Sequence, residues 1–502
     1  MHRSSEDRVL PKPAGSGRLG SVATMRACTY RVPPRSELEA GFAAVRAELG
    51  VPEHFAPETL AAARRAIVDS PPRIERAGGD VADRRDIELV TIDPPSSVDL
   101  DQAVHIARTE NGYRVSYAIS DPAAFVEPGG SIDLEAHRRG VTYYTPDRRT
   151  PLYPPVIGEN AASLLPNVTR PAFLWSLDLD AKGELVGTNI ERATVMSREK
   201  LSYAEAQRRI DQGSANESLA LLRVVGDLRA SIEHRRGGVS LNLPSQEVEL
   251  VDGNYQLGFD ETLDVENWNA QISLLTGMAA AQVMLDGGVG LLRRLPVPDE
   301  RVLDTIRRAA IVLGVDWPEE MTYADKIRDV HPDRAEHVAL LAQAVRALRG
   351  ADYAALHGQP PHDTIHWAIG ADYSHVTAPI RRLGDRYANE IALALCSETD
   401  IPRWVMDSLD SIPETLGDAR RLESSLDRAI VDYVEAVVLE PRVGETFQAW
   451  VTSQRGDNRS LIQISEPAVA AVVDATLEPG DEIAVRLTAV DSTKRKVDFE
   501  PI

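Results

Sequence analysis

Apolar positions recur along this chain with two periods, and the change of period divides it. From Ser36 onward Leu38, Phe42, Val45 and Leu49 fall at helical spacing, and Ser36 with Glu39 forms a capping box that opens the helix. A second helix is predicted from Pro57 to Val68, stopped by Pro71 and Pro72. Beyond residue 85 short strand-like runs come first: Glu88–Ile92, Tyr113–Ile119, Phe173–Leu179 and Glu247–Leu250. Longer helical patterns follow at Glu266–Leu285, Asp299–Leu313, Pro332–Leu348, Arg382–Cys396 and Ala419–Leu439. Near the end the period returns to two. Thr446–Thr452, Ser460–Ser465, Ala470–Val473, Glu482–Val490 and Lys496–Phe499 read as five short strands, with turns at Gly456, Pro479, Gly480 and Asp481. Five strands in about 60 residues predict a small β-barrel of the OB type, a platform for single-stranded nucleic acid.

The predicted organisation is a basic arm over 1–35, a small helical region over 36–80, a mixed α/β domain over 81–440 and the barrel over 441–502. The fold class is α+β. A length of 502 residues is too great for one core and fits two to four domains. No internal repeat is visible.

Composition narrows the setting. Hydrophobic residues at 43% and charged residues at 26% give an ordinary globular balance. The longest uncharged apolar stretch, Ile272–Leu285, is broken by Thr276, Gly277 and Gln282 and is too short to span a bilayer. The N-terminus has no apolar run of the secretory type. The two cysteines, Cys28 and Cys396, stand in unrelated contexts, which excludes a disulfide framework and fits the cytoplasm. The net charge of −22 argues against a broad nucleic-acid surface, so any RNA contact has to rest on a few Arg and Lys residues lining one channel. The first 35 residues carry seven Arg or Lys and two acids and read as a disordered tail or a weak RNA tether, with Met25 as an alternative start.

The chemistry concentrates in Thr91-Ile-Asp-Pro-Pro-Ser-Ser-Val-Asp-Leu-Asp-Gln-Ala103. Asp93 follows a strand, and Pro94 and Pro95 impose an extended path. Asp99 and Asp101 lie two apart, so an extended backbone aims both to the same side. Three converging carboxylates with no intervening cationic residue repel one another unless a cation lies between them. Oxygen-only ligands select Mg²⁺, or Mn²⁺, over zinc. A solvated acidic turn is the bland alternative for such a cluster. A hand-type calcium loop is a weaker one, because its central Gly and distal Glu are missing.

The segment resembles the signature of the ribonuclease II family catalytic domain, and further motifs follow in order. They are Ala118-Ile-Ser-Asp-Pro-Ala-Ala-Phe-Val126, Tyr144-Thr-Pro-Asp147, Leu152–Pro155, Arg198-Glu-Lys-Leu-Ser-Tyr203 and Tyr373-Ser-His-Val-Thr-Ala-Pro-Ile-Arg-Arg382. The resemblance covers residues 85–440. It implies a 3′-to-5′ exoribonuclease that hydrolyses single-stranded RNA to nucleoside 5′-monophosphates, acting as a monomer. Asp93, Asp99 and Asp101 match three of the family's four aspartates as Mg²⁺ ligands and catalytic residues, with Gln102 in place of the fourth. Arg381 matches the arginine that holds the scissile phosphate, and Arg382 adds a second guanidinium. Tyr203 and Tyr144 match tyrosines that stack on bases. The opposing phenylalanine has no counterpart in Val239-Ser-Leu-Asn-Leu243. Gln271 and Asp427 stand where the family has ribose-contacting glutamates. The N-terminal OB modules of the family have no counterpart in residues 1–85.

Two other readings compete. Gln102, Gln271 and Asp427 favour an RNA-binding protein with a degenerate nuclease domain. A metal-dependent hydrolase of small phosphoesters is the third, disfavoured by the barrel and the paired tyrosines.

Overall fold

The strand-forming runs of the central region join into a closed ring. The computed structural model describes residues 35–68, 81–239, 246–251, 254–259, 262–330, 334–360, 363–456, 458–464 and 469–502. Helices α1 (Arg35–Glu48) and α2 (Pro57–Val68) open the described chain. Strands β1 (Ala82–Asp83), β2 (Leu89–Ile92), β3 (Gln102–Thr109) and β4 (Gly112–Ser120) come next, then α3 (Ser131–Arg139) and a short hairpin, β5 (Tyr143–Thr145) with β6 (Arg148–Thr150). The long strands β7 (Thr169–Asp180) and β8 (Leu185–Leu201) lead into α4 (Tyr203–Asp211) and α5 (Glu217–Arg235). The sheet order is β1-β8-β2-β3-β4-β7, and β7 pairs back with β8, which closes the ring.

Alternation along the ring strands explains why they read as near-continuous apolar runs. Tyr117, Ile119, Phe173 and Trp175 pack outward against helices, while Ala103, Ala118, Ala172 and Ala193 share a second, separate core. Small residues suit the inside of a tightly closed ring. Where β7 crosses Gly112, a Cβ there would fall 2.1 Å from the Leu179 carbonyl oxygen, so only glycine fits.

A further hairpin, β9 (Gln246–Val251) with β10 (Asn254–Phe259), precedes α6 (Asp264–Gly287). Then follow β11 (Val289–Arg294), α7 (Glu300–Val312), α8 (Tyr323–Arg328), α9 (Ala335–Ala344), β12 (Asp352–His357), and the short β13 (Ile365–His366) and β14 (Ala371–Asp372). The region ends in α10 (Leu383–Cys396), α11 (Arg403–Ser408) and α12 (Ile412–Leu439). Helices α5, α6 and α10 supply Leu222, Ile272 and Tyr387 to the main core against the ring. Trp175 Nε1 donates to Asn389 Oδ1 at 3.0 Å and ties β7 to α10.

Helix α1 lies on α12, with Leu38, Phe42 and Val45 packed against Leu426, Ile430 and Val434. The approach is close at Gly41, where a Cβ would sit 2.0 Å from the Tyr433 ring. The C-terminal strands β15 (Thr446–Gln454), β16 (Ser460–Ile464), β17 (Val469–Val473), β18 (Glu482–Asp491) and β19 (Lys496–Pro501) run in the order β17-β16-β15-β18-β19. Bulges at Val451/Ser453 and Leu487/Ala489 curl the sheet and bring β17 toward β19, a nearly closed barrel of the OB type.

The predicted elements mostly stand where the period placed them, but α1 starts at Arg35, so Ser36 lies inside the helix and is not its cap. The exit of the acidic loop is the strand β3, and β8, the β5–β6 hairpin, β11, β12 and helices α3, α4, α5, α8 and α11 have no predicted counterpart. The helix predicted at Pro332–Leu348 is α9 followed by a 3₁₀ turn at Val345–Leu348, and the one predicted from Ala419 begins at Ile412. The basic arm up to residue 34, residues 69–80 of the helical region, 332–333 of the predicted helix, 240–243 of the Val239–Leu243 segment and Ser465 lie outside the described residues.

Candidate active site

One end of the ring gathers the chain's unusual residues. Asp93 follows the last residue of β2, and Asp101 precedes the first residue of β3, so the loop between them bridges neighbouring antiparallel strands. Ile92 pairs with Leu201 at the end of β8, and Asp93 N donates to Leu201 O at 3.0 Å. Tyr203, two residues past β8, therefore starts α4 at this same end, and Ser202 Oγ caps that helix by accepting from Glu205 N at 3.1 Å. The loop itself is pinned. Ser163 Oγ accepts from Leu100 N at 2.9 Å and donates to Val98 O at 2.7 Å, and Lys200 Nζ donates to Pro95 O at 2.8 Å.

These residues line a cavity of about 800 Å³ whose walls include Asp93, Asp99, Asp101, Gln102, Tyr144, Arg149, Tyr203, Asn269 and Arg381. Asp101 is buried at 3% exposure. Its Oδ1 accepts from Ile380 N at 2.8 Å and its Oδ2 from Arg381 Nε at 3.1 Å. Burial nevertheless outweighs the Arg381 attraction and pushes its pKa up to about 7. Asp93, half-buried, is pushed up to about 6, again by loss of water, against the pull of Arg381 and Lys200. Asp99 has both oxygens engaged: Arg149 Nη1 donates to Oδ1 at 2.8 Å and Tyr144 Oη to Oδ2 at 3.2 Å.

Arg381 and Arg382 take different parts. Asp385, in the first turn of α10, accepts from Ala378 N at 2.8 Å and from Arg382 Nη2 at 2.8 Å. This folds the 378–382 turn down and commits Arg382 to Asp385, leaving Arg381 to face Asp101. Behind Arg381 lies a second cavity of about 230 Å³, lined by Tyr353, His375, Arg382, Arg420 and Glu423 and sharing Tyr144 and Arg381 with the first.

Gln271 and Asp427 are not brought to the first cavity. Asn269 on α6 is in its wall; two residues further on, about 200° round a helix, Gln271 is buried and hydrogen-bonded to Glu233 on α5. Asp427 lines neither cavity, and the acid of α12 nearest Arg381 is Glu423, one turn earlier. Gln102 lines the cavity, but its amide oxygen accepts from Tyr117 Oη and, at 3.0 Å, from Ser273 Oγ. Sequence reading missed Arg149, Asn269 and Glu423. Arg149 had a signal, since it stands directly across the hairpin from Tyr144, but three-residue strands leave no period to read.

The donor set suits a hard divalent cation: carboxylates only, with no hydrogen-bond donor on the Asp93 side chain among the described residues. The arrangement is not that of a closed cage. Among the described residues no three acidic, His or Cys side chains converge closely enough to enclose an ion, because Asp99 and Asp101 are each turned to a guanidinium.

A strand ring with carboxylates and arginines at one end, followed by an OB-type barrel, has the architecture of the RNB class, as the family matches show. The chain belongs to the RNB family: the RNB domain matches residues 81–398, and the RNase II-type exonuclease C-terminal S1 domain matches residues 445–502. It is 27% identical over 468 residues to ribonuclease R of Aquifex aeolicus, across 84% of this chain and 65% of the relative. It is 28% identical over 378 residues to exosome complex exonuclease RRP44 homolog A of Arabidopsis thaliana, across 72% of this chain. The chain thus spans 65% and 40% of the length of these two relatives. The fold is that of Mycoplasma genitalium RNase R, solved in complex with ribose methylated single-stranded RNA, with a TM-score of 0.82, 18% identity, and 93% of this chain and 78% of that one covered.

Proposed function

We propose that this chain is a 3′-to-5′ exoribonuclease that hydrolyses single-stranded RNA to nucleoside 5′-monophosphates with Mg²⁺, or Mn²⁺ in its place. The observation that carries the reading is the facing of Arg381 and Asp101 across 3.1 Å, in a cavity that also holds Asp93, Asp99 and two tyrosines. The ribonuclease R and exosome exonuclease names of the relatives support it. In the first cavity Arg148, Arg149 and Arg381 stand beside Asp93, Asp99, Asp101 and Asp147, while the second, with Arg381, Arg382 and Arg420 against Glu423, is the more positive of the two.

In this reading Asp93, Asp99 and Asp101 would hold the cation, which when bound would lower the pKa of a water and draw charge from the phosphate. The oxygen of a water attacks the last phosphodiester in line and releases a proton. The bond from phosphorus to the penultimate 3′ oxygen breaks, that oxygen takes up a proton, and the terminal nucleotide leaves with its 5′-phosphate. Arg381 exchanges Asp101 for the phosphate oxygens and stabilises the charge that develops on them. Tyr203 and Tyr144 support bases by stacking. In this reading the enzyme acts as a monomer, and the two cysteines in unrelated contexts fit the cytoplasm.

A degenerate, RNA-binding role is favoured by one observation. Gln102 is held by two hydroxyls and adds no charge where a fourth carboxylate would strengthen the site. One experiment separates the two. Purified protein and Asp101→Asn are incubated with 5′-labelled single-stranded RNA and Mg²⁺. Stepwise shortening by the wild type alone supports the nuclease, and tight binding without shortening by either protein supports the second reading.

A further inference from the structure

The β5–β6 hairpin reaches the acidic loop with a single cross-strand pair. Tyr144 and Arg149 stand opposite each other, and each grips one oxygen of Asp99. A hairpin of two three-residue strands has little stability of its own. Its tip is fixed from outside, by the segment that runs from α1 toward α2. Arg46, only 2% exposed, donates through Nη1 to Asp147 Oδ1 at 2.7 Å and to Thr145 Oγ1 at 3.0 Å. Its Nε lies 3.3 Å from Glu53 Oε2, and that oxygen accepts from Arg148 Nη1 at 2.9 Å. Next to it the Arg139 guanidinium covers the Phe55 ring at 3.8 Å and donates to His54 O at 3.1 Å, which ties the same segment to α3.

We propose that Arg46 and Glu53 are positioning residues for the candidate active site: they clamp the hairpin tip and so hold Tyr144 and Arg149 on Asp99. For its catalytic consequence this inference rests on the nuclease reading. Neither residue lines the cavity. The link is short and stiff. Arg46 fixes Asp147 and Thr145 at the turn, and the next residue back, Tyr144, bonds Asp99. Largely buried pairs of this kind suffer when one member is removed, because the other charge loses its ionic partner. Asp147, with a side chain 9% exposed, would be that residue, keeping the Thr145 Oγ1 hydrogen bond at 2.9 Å but losing its cation. The helical segment is thus assigned a task in the cavity: setting the direction of the Asp99 carboxylate.

The test uses the full chain with Arg46→Ala, Arg46→Lys and Glu53→Gln, read in two independent ways. Backbone hydrogen exchange is followed at residues 143–150 and 97–101, with the barrel as internal control. Shortening of 5′-labelled single-stranded RNA is followed over a Mg²⁺ series. In Arg46→Ala and Glu53→Gln, exchange should rise in both segments and stay unchanged in the barrel. The maximal rate should fall about tenfold to a hundredfold, since small misplacements of a reacting group cost that much, with KM for RNA nearly constant. Arg46→Lys should recover part of the rate. If Arg46→Ala does not fold, Glu53→Gln decides. Unchanged exchange at 143–150 in a folded variant overturns the inference, and so does a loosened hairpin with wild-type rate and Mg²⁺ dependence. Failure of the wild type to shorten RNA sinks the nuclease reading instead. The exchange data then decide the clamp alone, loosening of both segments supporting it and no change overturning it.

Discussion

Arg381 Nε lies 3.1 Å from Asp101 Oδ2, so the cation expected to hold a substrate phosphate is paired, without RNA, to the carboxylate expected to hold a metal. The two roles are exclusive at that nitrogen, and binding of substrate and metal has to exchange one contact for two. Arg381→Ala should therefore cost the maximal rate far more than RNA affinity, by about 10²–10³ as for other donors that meet developing charge. Arg381→Lys should restore only part, because an ammonium lacks the guanidinium fork. Single-turnover shortening of labelled RNA measures this, and a wild-type rate in Arg381→Ala would remove Arg381 from the reaction.

Asp101 and Asp93 set a pH dependence with a definite sign. Both carboxyls are raised in the folded chain, to about 7 and about 6, above the values near 4 of an unfolded chain. Between those limits the folded state binds more protons, so stability falls as pH rises. In EDTA the protein should unfold at lower denaturant at pH 8 than at pH 5. The Asp101 contribution is on the order of 1–4 kcal/mol, and Asp101→Asn should remove it. Mg²⁺ binds the ionised forms and should narrow the difference. Denaturant titrations at the two pH values, with and without Mg²⁺, test each step. A wild type more stable at pH 8 in EDTA would contradict the burial of these carboxyls.

How far the sequence discloses this site depends on whether a contact is local or comes from assembly. The acidic loop was legible because its three aspartates, two prolines and flanking strands lie in one short run. The barrel was legible because period two survives in exposed strands such as β16 and β17. The ring was not, since beyond the β7–β8 hairpin it depends on pairings of residues 112–120 with 172–180 and of 89–92 with 197–201 that no local period records. The same holds for Gln271. Register along α6 decides whether position 269 or 271 faces the cavity, and an all-round apolar helix gives no face to read. Asp427 failed for a related reason, with Glu423 one turn away on the same helix. Arg46 carried no signal at all: in the sequence it is one more charge in an amphipathic helix.

The two tyrosines should separate on mutation. Tyr203 lines the cavity from the first turn of α4, and its hydroxyl is hydrogen-bonded to the Asn269 side chain. Tyr203→Ala should weaken single-stranded RNA binding by about 1–3 kcal/mol, with Tyr203→Phe close to neutral, as stacking requires. Tyr144 also donates to Asp99 at 3.2 Å, so Tyr144→Phe should alter the Mg²⁺ concentration for half-maximal rate more than RNA affinity. Equal responses of the two phenylalanine variants would count against this division of labour.

Gln102 offers the sharpest test of the metal reading. Its amide oxygen accepts from Tyr117 and Ser273, so it is a satisfied acceptor at the edge of the cavity. In Gln102→Asp a fourth carboxylate joins Asp93, Asp99 and Asp101, on a side chain one methylene shorter. Without a cation the added repulsion should destabilise the chain and raise the pKa values of Asp93 and Asp101 further. With Mg²⁺ that repulsion is relieved by the ion, so the concentration for half-maximal cleavage should drop by about tenfold, equivalent to about 1.4 kcal/mol of tighter binding. The thermal shift produced by Mg²⁺ should also be larger than in the wild type. Thermal unfolding in EDTA and in a Mg²⁺ series, beside the cleavage assay, reads both signs. A variant that loses stability in EDTA but gains no Mg²⁺ response would mean that Gln102 belongs to the Tyr117–Ser273 hydroxyl network alone and that no ion sits within reach of position 102.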